Sequence, residues 1–302
     1  MSLLVKAKGA WDLIVDEGRF GQRHQGLPWS GPADADSYHL ANALLGNPAN
    51  CPALEISLSG PVLHAQCDLA LGLFGAPFPA LIDGAPLTRQ GSFTLKKNQT
   101  LELQACKTGM RAYLAVPEGF QQLPVLDSHS SLAPLKKGEA LNCKKGSIPR
   151  RFLPQEWAWQ PDSTPLRVLA GPESACFSLN ELANQQFTVQ PASNRMGLRL
   201  GGKPFTLNGL EMLSEPVCPG TVQVARDGQL LVLGVDGQTI GGYPRVAQVI
   251  RADLPRLGQL RPGDSITFSL VTLDEAEQTA LDKNRRWEII SLHLHTLAAG
   301  FF

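Results

Sequence analysis

The chain is short of charge and has no excess of either sign. Charged residues are 18% of its 302, with 27 Lys plus Arg against 27 Asp plus Glu. A protein that grips nucleic acid or an anionic bilayer through its overall field needs a basic excess, so neither partner is expected. Long apolar runs are missing too. The most apolar uncharged stretch, residues 69–82, is interrupted by Gly72, Gly75, Pro77 and Pro79, and it is too short to cross a bilayer. The run Met1-Ser-Leu-Leu-Val-Lys6 is shorter than the apolar core of an export signal, so no export is expected. Cysteines at 51, 67, 106, 143, 176 and 218 include no C-x-x-C pair, which argues against a zinc site and a disulfide framework. Buried, reduced thiols in the cytoplasm are the expectation. The six histidines show no metal-ligand spacing, and His293 and His295, two apart on a helical stretch, cannot share a face. No metal site is expected.

What is present points to short strands. Hydrophobic residues make up 43% of the chain, enough for a sizeable core in one large domain or two smaller ones. The 29 glycines and 23 prolines punctuate strands better than long helices, so the fold class expected is mainly β. Compact apolar runs such as Ala53–Ser57, Leu69–Phe74, Thr221–Val224, Val246–Ala252 and Ile266–Val271, bounded by turn residues, suit a barrel or sandwich.

Three segments read as helices. One starts at Asp34 and stops at Gly46; a second opens at Ser178 with Glu181 three residues on, a capping box. Thr272 and Glu275 repeat that box and start the longest helix, which runs to the carboxyl end.

Three stretches, L-K-K-N-Q-T-L-E-L at 95–103, L-K-K-G-E-A-L-N-C at 135–143 and L-R-P-G-D-S-I-T-F at 260–268, share a basic turn followed by a strand. They read as one turn type used in related places, and hint at two similar halves. The Pro- and Trp-rich segment 149–165 separates them, giving halves 1–150 and 151–302. Trp157 and Trp159 in it are expected to be packed.

One motif is rejected at this level. Gly197-Leu-Arg-Leu-Gly-Gly-Lys203 fits the phosphate-loop pattern, but Pro204 stands where the magnesium-binding hydroxyl belongs, and the Pro-Phe-Thr-Leu that follows reads as a strand. The Ala-Met-Lys-Met stretch that would carry biotin is missing, so no covalently attached cofactor is expected.

Two loops combine glycine with varied hydrogen-bonding side chains: Ser193-Asn-Arg-Met-Gly197 and Asp236-Gly-Gln-Thr-Ile-Gly-Gly-Tyr-Pro-Arg245. Gln238, Thr239, Tyr243 and Arg245 offer amide, hydroxyl, phenol and guanidinium, a set that suits a small carboxylate or urea-like substrate. Asn194 and Arg195 extend it. The same residues also fit sharp turns whose polar groups satisfy the backbone. A third cluster, Gly26-Leu-Pro-Trp-Ser-Gly-Pro-Ala-Asp34, leads into the first helix, where Ser30 and Asp34 fit either an anion site or an N-cap.

These clusters, together with D-E-G-R-F-G at 16–21, L-A-N-A-L-L-G-N-P at 40–48, A-L-E-I-S at 53–57, M-R-A-Y-L-A-V at 110–116, P-G-T-V-Q-V at 219–224 and A-D-L-P-R-L-G-Q-L-R-P-G-D at 252–264, resemble one family over nearly the whole chain. It is the carboxyltransferase-type family that includes the C subunit of 5-oxoprolinase, the second subunit of so-called allophanate hydrolase, and the antagonist of a sporulation-kinase inhibitor. The resemblance implies a cyclophilin-like β-barrel architecture in two related halves, with a few short helices and a C-terminal helix. It implies ATP-dependent opening of 5-oxoproline or a similar small cyclic amide to glutamate, as the C-type subunit of a complex. The partners implied are a smaller cyclophilin-like subunit of B type and a large lactam-opening subunit of A type, with ATP and Mg supplied in the complex. Carboxyl transfer from carboxybiotin in a urea carboxylase-type enzyme is the alternative, and a non-catalytic regulatory partner that antagonises a kinase inhibitor is the third.

Within that frame Gln238, Thr239 and Tyr243 are the candidate catalytic residues; Ser30, Asn194, Arg195 and Arg245 are the candidate substrate contacts. Ile240 stands where the family has a second Thr, and Asp127-Ser-His-Ser-Ser131 replaces its Gly-Ser-x-Ser-Thr loop. Both departures bear on substrate choice.

Overall fold

The computed structural model describes residues 2–207 and 212–298. They form two compact units. The first comprises residues 1–19, 30–161 and 288–302; the second, 20–29 and 162–287.

The first unit contains two antiparallel sheets. In the six-stranded sheet Ser2–Ala7 lies between Ala140–Asn142 and Val62–Ala65, followed by Thr100–Leu103, Ala80–Ile82 and Ala85–Pro86. The five-stranded sheet runs Trp11–Val15, Ala53–Ser57, Arg111–Ala115, Leu69–Gly75, Gly91–Leu95. Its three central strands are buried along their whole length, which explains why they read as continuous rather than alternating apolar runs. The helix Ala35–Ala43 covers the outer face: a Cβ on Gly72 would come within 2.6 Å of Ala41 O, so glycine there lets helix and strand touch. Leu3, Leu54, Leu63, Leu71 and Phe93 are at the centre of this core, and each buried side chain of that kind contributes about 1.5–3 kcal/mol. Trp159 packs against it, and Trp157 meets His293 edge-on at 5.1 Å.

The second unit is an eight-stranded sheet in the order Ser265–Ile266, Phe187–Val189, Gly197–Gly201, Leu230–Leu233, Thr221–Val224, Arg245–Val249, Leu166–Ala170, Phe268–Leu270. Its first and last members are two halves of one run. Ser265–Ile266 pairs with one edge and Phe268–Leu270 with the other, so the run expected as a single strand at 266–271 breaks at Thr267. The barrel is thereby nearly closed, with each half of the run pairing on one side. Val168, Phe187, Val222, Val232 and Val246 fill the interior. The mainly β fold expected from composition, with few helices and a long C-terminal one, is what the chain adopts.

The three turn-plus-strand stretches use one device. In each, the N–H of the first turn residue binds the side chain three residues on (Lys96 to Gln99, Lys136 to Glu139, Arg261 to Asp264, at 2.8–2.9 Å), and the return backbone bond measures 3.0–3.1 Å. Asn98, Gly138 and Gly263 take the left-handed conformation, and their N–H groups donate at 2.8 Å to Ala65, Val5 and Val189. The device occurs twice in the first unit and once in the second.

The helix starts also follow the sequence. Asp34 accepts from Ser37 N at 3.1 Å, Ser178 from Glu181 N at 3.2 Å, and Thr272 and Glu275 bind each other's N–H reciprocally at the head of the Leu273–Ala298 helix. Three expectations need correction. Residues 204–207 form no strand: Phe205 N donates to Gly228 O in the distant loop before Leu230–Leu233, outside any strand ladder. The strand at 246 stops at Val249 and gives way to a 3-10 turn over Arg251–Asp253, which brings the Asp253 carboxylate onto Arg167. Cys176 and Cys218 are exposed rather than buried. The last four residues of the expected C-terminal helix, and the His295 side chain, lie outside the described residues. No helix among the described residues is long and apolar enough to cross a membrane.

Asp12, on the strand Trp11–Val15, is 1% exposed. It accepts one bond, from Gly9 N at 2.7 Å, and its Oδ1 has no partner. Burial raises its pKa from 3.8 to about 7. The folded state therefore keeps this proton through a range in which the unfolded chain releases it, and stability should fall as pH rises from about 4 to about 7, with a slope approaching ~1.4 kcal/mol per pH unit. Asp16, Glu173 and Asp253 are shifted the opposite way and act only in more acid solution. Urea midpoints at pH 5 and pH 8 should differ in the parent and converge in Asp12→Asn; equal midpoints in the parent would contradict this.

Candidate functional site

The helix beginning at Ala35 is anchored by a buried polar chain in the first unit. The Asp34 carboxylate caps the helix and accepts from Ser37 Oγ at 2.6 Å. Asp34 N donates to the Tyr113 hydroxyl at 2.9 Å, which donates to Glu55 at 2.7 Å. Glu55 also takes Ala33 N at 2.9 Å and pairs with Arg111 at 3.2 Å. Glu55 and Tyr113 are 0% exposed and Arg111 5%. Of the two readings open to Asp34, the structure takes the cap. Ser30, four residues earlier, is half-buried with a φ of 54°, a strained conformation for a residue with a side chain.

A second polar knot in this unit ties the Ser-rich loop to D-E-G-R-F-G. Asp16 accepts from Ser128 Oγ at 2.6 Å, Ser130 Oγ at 2.7 Å, His129 N and Gly18 N. Burial alone would raise this carboxyl, yet the four donors hold it below its ordinary value. Arg19 donates to Ser130 O.

The other six predicted residues belong to the second unit, where 193–197 and 234–245 are stitched together. Asp236 N binds Arg195 O at 3.1 Å and Gly234 N binds Met196 O at 2.9 Å. Arg195 is 8% exposed and forms a fork onto Asp236 through Nε at 2.7 Å and a terminal nitrogen at 3.1 Å. Asn194 is exposed and closes its own turn by accepting Met196 N at 2.8 Å.

Arg245 is likewise held, by both oxygens of Glu173 at 2.7 and 2.9 Å and by Glu215. That pairing depresses the Glu173 pKa and raises the arginine's. Both guanidiniums that the sequence offered to a substrate carboxylate thus have carboxylate partners within the chain.

The segment between them is different. Gln238 is exposed, Tyr243 half-buried and Thr239 7% exposed. Among the described residues no hydrogen bond fixes the side chains of Gln238, Thr239 or Tyr243. These three present an amide and two hydroxyls, able to orient a carbonyl or relay a proton. A two-stranded clasp, Glu215–Pro216 on Ile240–Gly241, runs alongside.

Sequence reasoning missed Gln223, in the buried strand Thr221–Val224 beside this segment. Its Nε2 donates to Tyr243 O at 3.3 Å, while its Oε1 is closed to water and has no partner. The available signal was a glutamine between two valines of a buried strand, in P-G-T-V-Q-V.

The phosphate-loop match does not form such a loop. Gly197–Gly201, the start of the phosphate-loop match, is an extended strand paired on both sides and cannot wrap a phosphate. Among the described residues no group of three or more His, Cys, Asp or Glu is placed to hold a metal ion.

A two-unit chain with a nearly closed β-barrel in the second unit, and the 193–197 and 234–245 loops stitched beside it, is matched by the carboxyltransferase domain, subdomain A and B, over residues 25–270. The chain belongs to that family. It is 34% identical to the 5-oxoprolinase C subunit of Escherichia coli, covering 95% of this chain and 97% of that one. With the Haemophilus influenzae 5-oxoprolinase C subunit the identity is 35%, over 87% and 89%. Saccharomyces cerevisiae urea amidolyase is 30% identical over 94% of this chain, which spans 18% of it. Among solved structures, Kluyveromyces lactis urea amidolyase superposes with a TM-score of 0.86 at 26% identity, over 94% of this chain and 19% of that one. TTHA0988 gives 0.82 at 39% identity, over 89% and 56%.

Proposed function

We propose that the chain works as the C-type subunit of a 5-oxoprolinase-like complex, in which ATP-dependent hydrolysis opens 5-oxoproline or a similar small cyclic amide to glutamate. The observation that carries this reading is end-to-end likeness. The chain spans 97% and 89% of two 5-oxoprolinase C subunits but 18% of the yeast urea amidolyase. Identity is also higher to those two subunits, 34% and 35%, than to the urea amidolyase, 30%.

Opening a lactam requires a carbonyl made electrophilic and fixed donors for the charge that develops on its oxygen. Gln238 and Thr239 are assigned to orient the amide and Tyr243 to donate or relay a proton. Arg195 and Arg245, each on a carboxylate, position the segment that carries those three. Asn194 shapes the adjoining turn. Ser30, on the strained approach to the first helix, is kept as a substrate contact. ATP with its Mg is assigned to the complex, and in this chain a strand occupies the phosphate-loop match. The partners in this reading are a smaller subunit of B type and a large subunit of A type, working in the cytoplasm.

The fold similarity to urea amidolyase, a TM-score of 0.86, supports a second reading, carboxyl transfer between carboxybiotin and a urea-like acceptor on the same amide and hydroxyls.

The chain alone is expected to release no glutamate from 5-oxoproline and ATP, and a complex reconstituted with B-type and A-type subunits to do so. Turnover by the chain alone would refute the assembly. A reconstituted complex inactive on 5-oxoproline, yet able to discharge carboxybiotin to urea, would favour the second reading.

A further inference from the structure

With Arg195 and Arg245 neutralised by Asp236, Glu173 and Glu215, the candidate segment still has one arginine beside it that lacks a carboxylate. Arg23 is half-buried and lies over the Trp29 ring at 5.3 Å. One terminal nitrogen donates to Val217 O. The other is closed to water and has no hydrogen-bond partner.

Val217 locates that guanidinium. Its N–H donates to Thr239 O at 3.0 Å, continuing the register in which Glu215 faces Gly241 and Pro216 faces Ile240. A hydrogen-bonded antiparallel pair ordinarily exchanges two bonds, and the N–H and C=O of one strand residue point to the same side. Here the Val217 carbonyl is taken by Arg23 instead, so the guanidinium sits at the edge that carries Thr239.

Gln223 reaches the same stretch from the barrel. A Cβ on Gly241 would fall within 2.6 Å of Gln223 Nε2, 2.8 Å of Gln238 Nε2 and 3.4 Å of Val217 Cγ1. Gln223 is 0% exposed and its Oε1 lacks a donor. A buried acceptor and a buried cationic donor left unsatisfied are each costly.

We propose that Arg23 and Gln223 read a cyclic amide that bears a carboxylate: Arg23 takes the carboxylate and Gln223 Oε1 accepts the ring N–H. The assignment rests on the proposed lactam-opening function and names what selects the substrate there. The ligand gains access by releasing the short Ile240–Gly241 pairing on Glu215–Pro216, which the adjacent glycines 241 and 242 permit.

The test is the change in melting temperature of the full chain with 5-oxoproline, with pyrrolidin-2-one as the same ring without its carboxylate, and with acetate as a carboxylate without the ring. 5-Oxoproline should stabilise the parent at concentrations at least tenfold lower than either fragment. Arg23→Met should abolish that preference over pyrrolidin-2-one, and Gln223→Leu should weaken 5-oxoproline at least tenfold. Arg23→Gln retains a donor for Val217 O and replaces Arg23→Met if the latter melts early without ligand. A parent that does not respond to 5-oxoproline, or variants that respond as the parent does, overturns the assignment.

Turnover by the reconstituted complex is scored separately. Turnover with unaltered KM in Arg23→Gln removes this assignment and leaves the proposed function standing. Ligand binding that follows the expected pattern without any turnover removes the proposed function and leaves the recognition.

Discussion

Arg111→Met is expected to lower the unfolding free energy by about 3–5 kcal/mol, the cost of leaving a buried charge without its partner. Glu55 is 0% exposed and holds the Arg111 Nε at 3.2 Å, the Tyr113 hydroxyl at 2.7 Å and Ala33 N at 2.9 Å. Methionine fills most of the space but removes the guanidinium, so the carboxylate keeps its Tyr113 and Ala33 donors and loses that positive charge. The loss should appear in urea unfolding as a lower midpoint with little change in slope. A double variant, Glu55→Leu with Arg111→Leu, should lose less than the single one, because no charge is then stranded. A single-variant loss below about 1 kcal/mol would mean that the pair contributes no more than an ordinary hydrogen bond. Since the same chain of bonds runs through Tyr113 to Asp34 N, the approach to the first helix, Ser30 included, should loosen with it.

Arg195→Ala, made in the reconstituted complex, should reduce kcat by tenfold to a hundredfold, corresponding to about 1.5–3 kcal/mol for a charged hydrogen-bonded contact. KM should change little. The reason is the fork onto Asp236, at 2.7 and 3.1 Å, which fixes the start of the segment carrying Gln238, Thr239 and Tyr243. Asp236→Asn should reproduce the effect, and the double variant should be no worse than either single one. A tenfold rise in KM at constant kcat, with Asp236→Asn near parental, would instead assign Arg195 to a substrate anion. Melting temperatures on the same preparations separate both outcomes from a purely structural role, which would lower stability and leave turnover per folded molecule unchanged.

By itself the sequence determined the helix starts, several of the strands and one recurring turn. Strands bounded by Gly and Pro appear at Ala53–Ser57 and Thr221–Val224 with the expected bounds. The caps at Asp34, Ser178 and Thr272 hold because a side chain within three residues satisfies a helix N–H wherever the rest of the chain goes. The recurring basic turn was readable for the same reason. Its bonds span three residues, and only its acceptors on Ala65, Val5 and Val189 are distant.

Tertiary structure decided the rest. Nothing local tells the run at 265–270 to divide at Thr267 and serve both edges of a barrel; closure does that. Nor does sequence reveal whether an arginine in a polar loop is available to a ligand. Arg195 and Arg245 looked alike as donors, but Asp236 is 41 positions from the first and Glu173 is 72 from the second. Arg23, 194 positions from Val217, was passed over because its ring neighbour Trp29 is local and its place beside Thr239 is not. Charge neutralisation over such separations is set by which strands become neighbours, and that depends on the packing of the whole barrel.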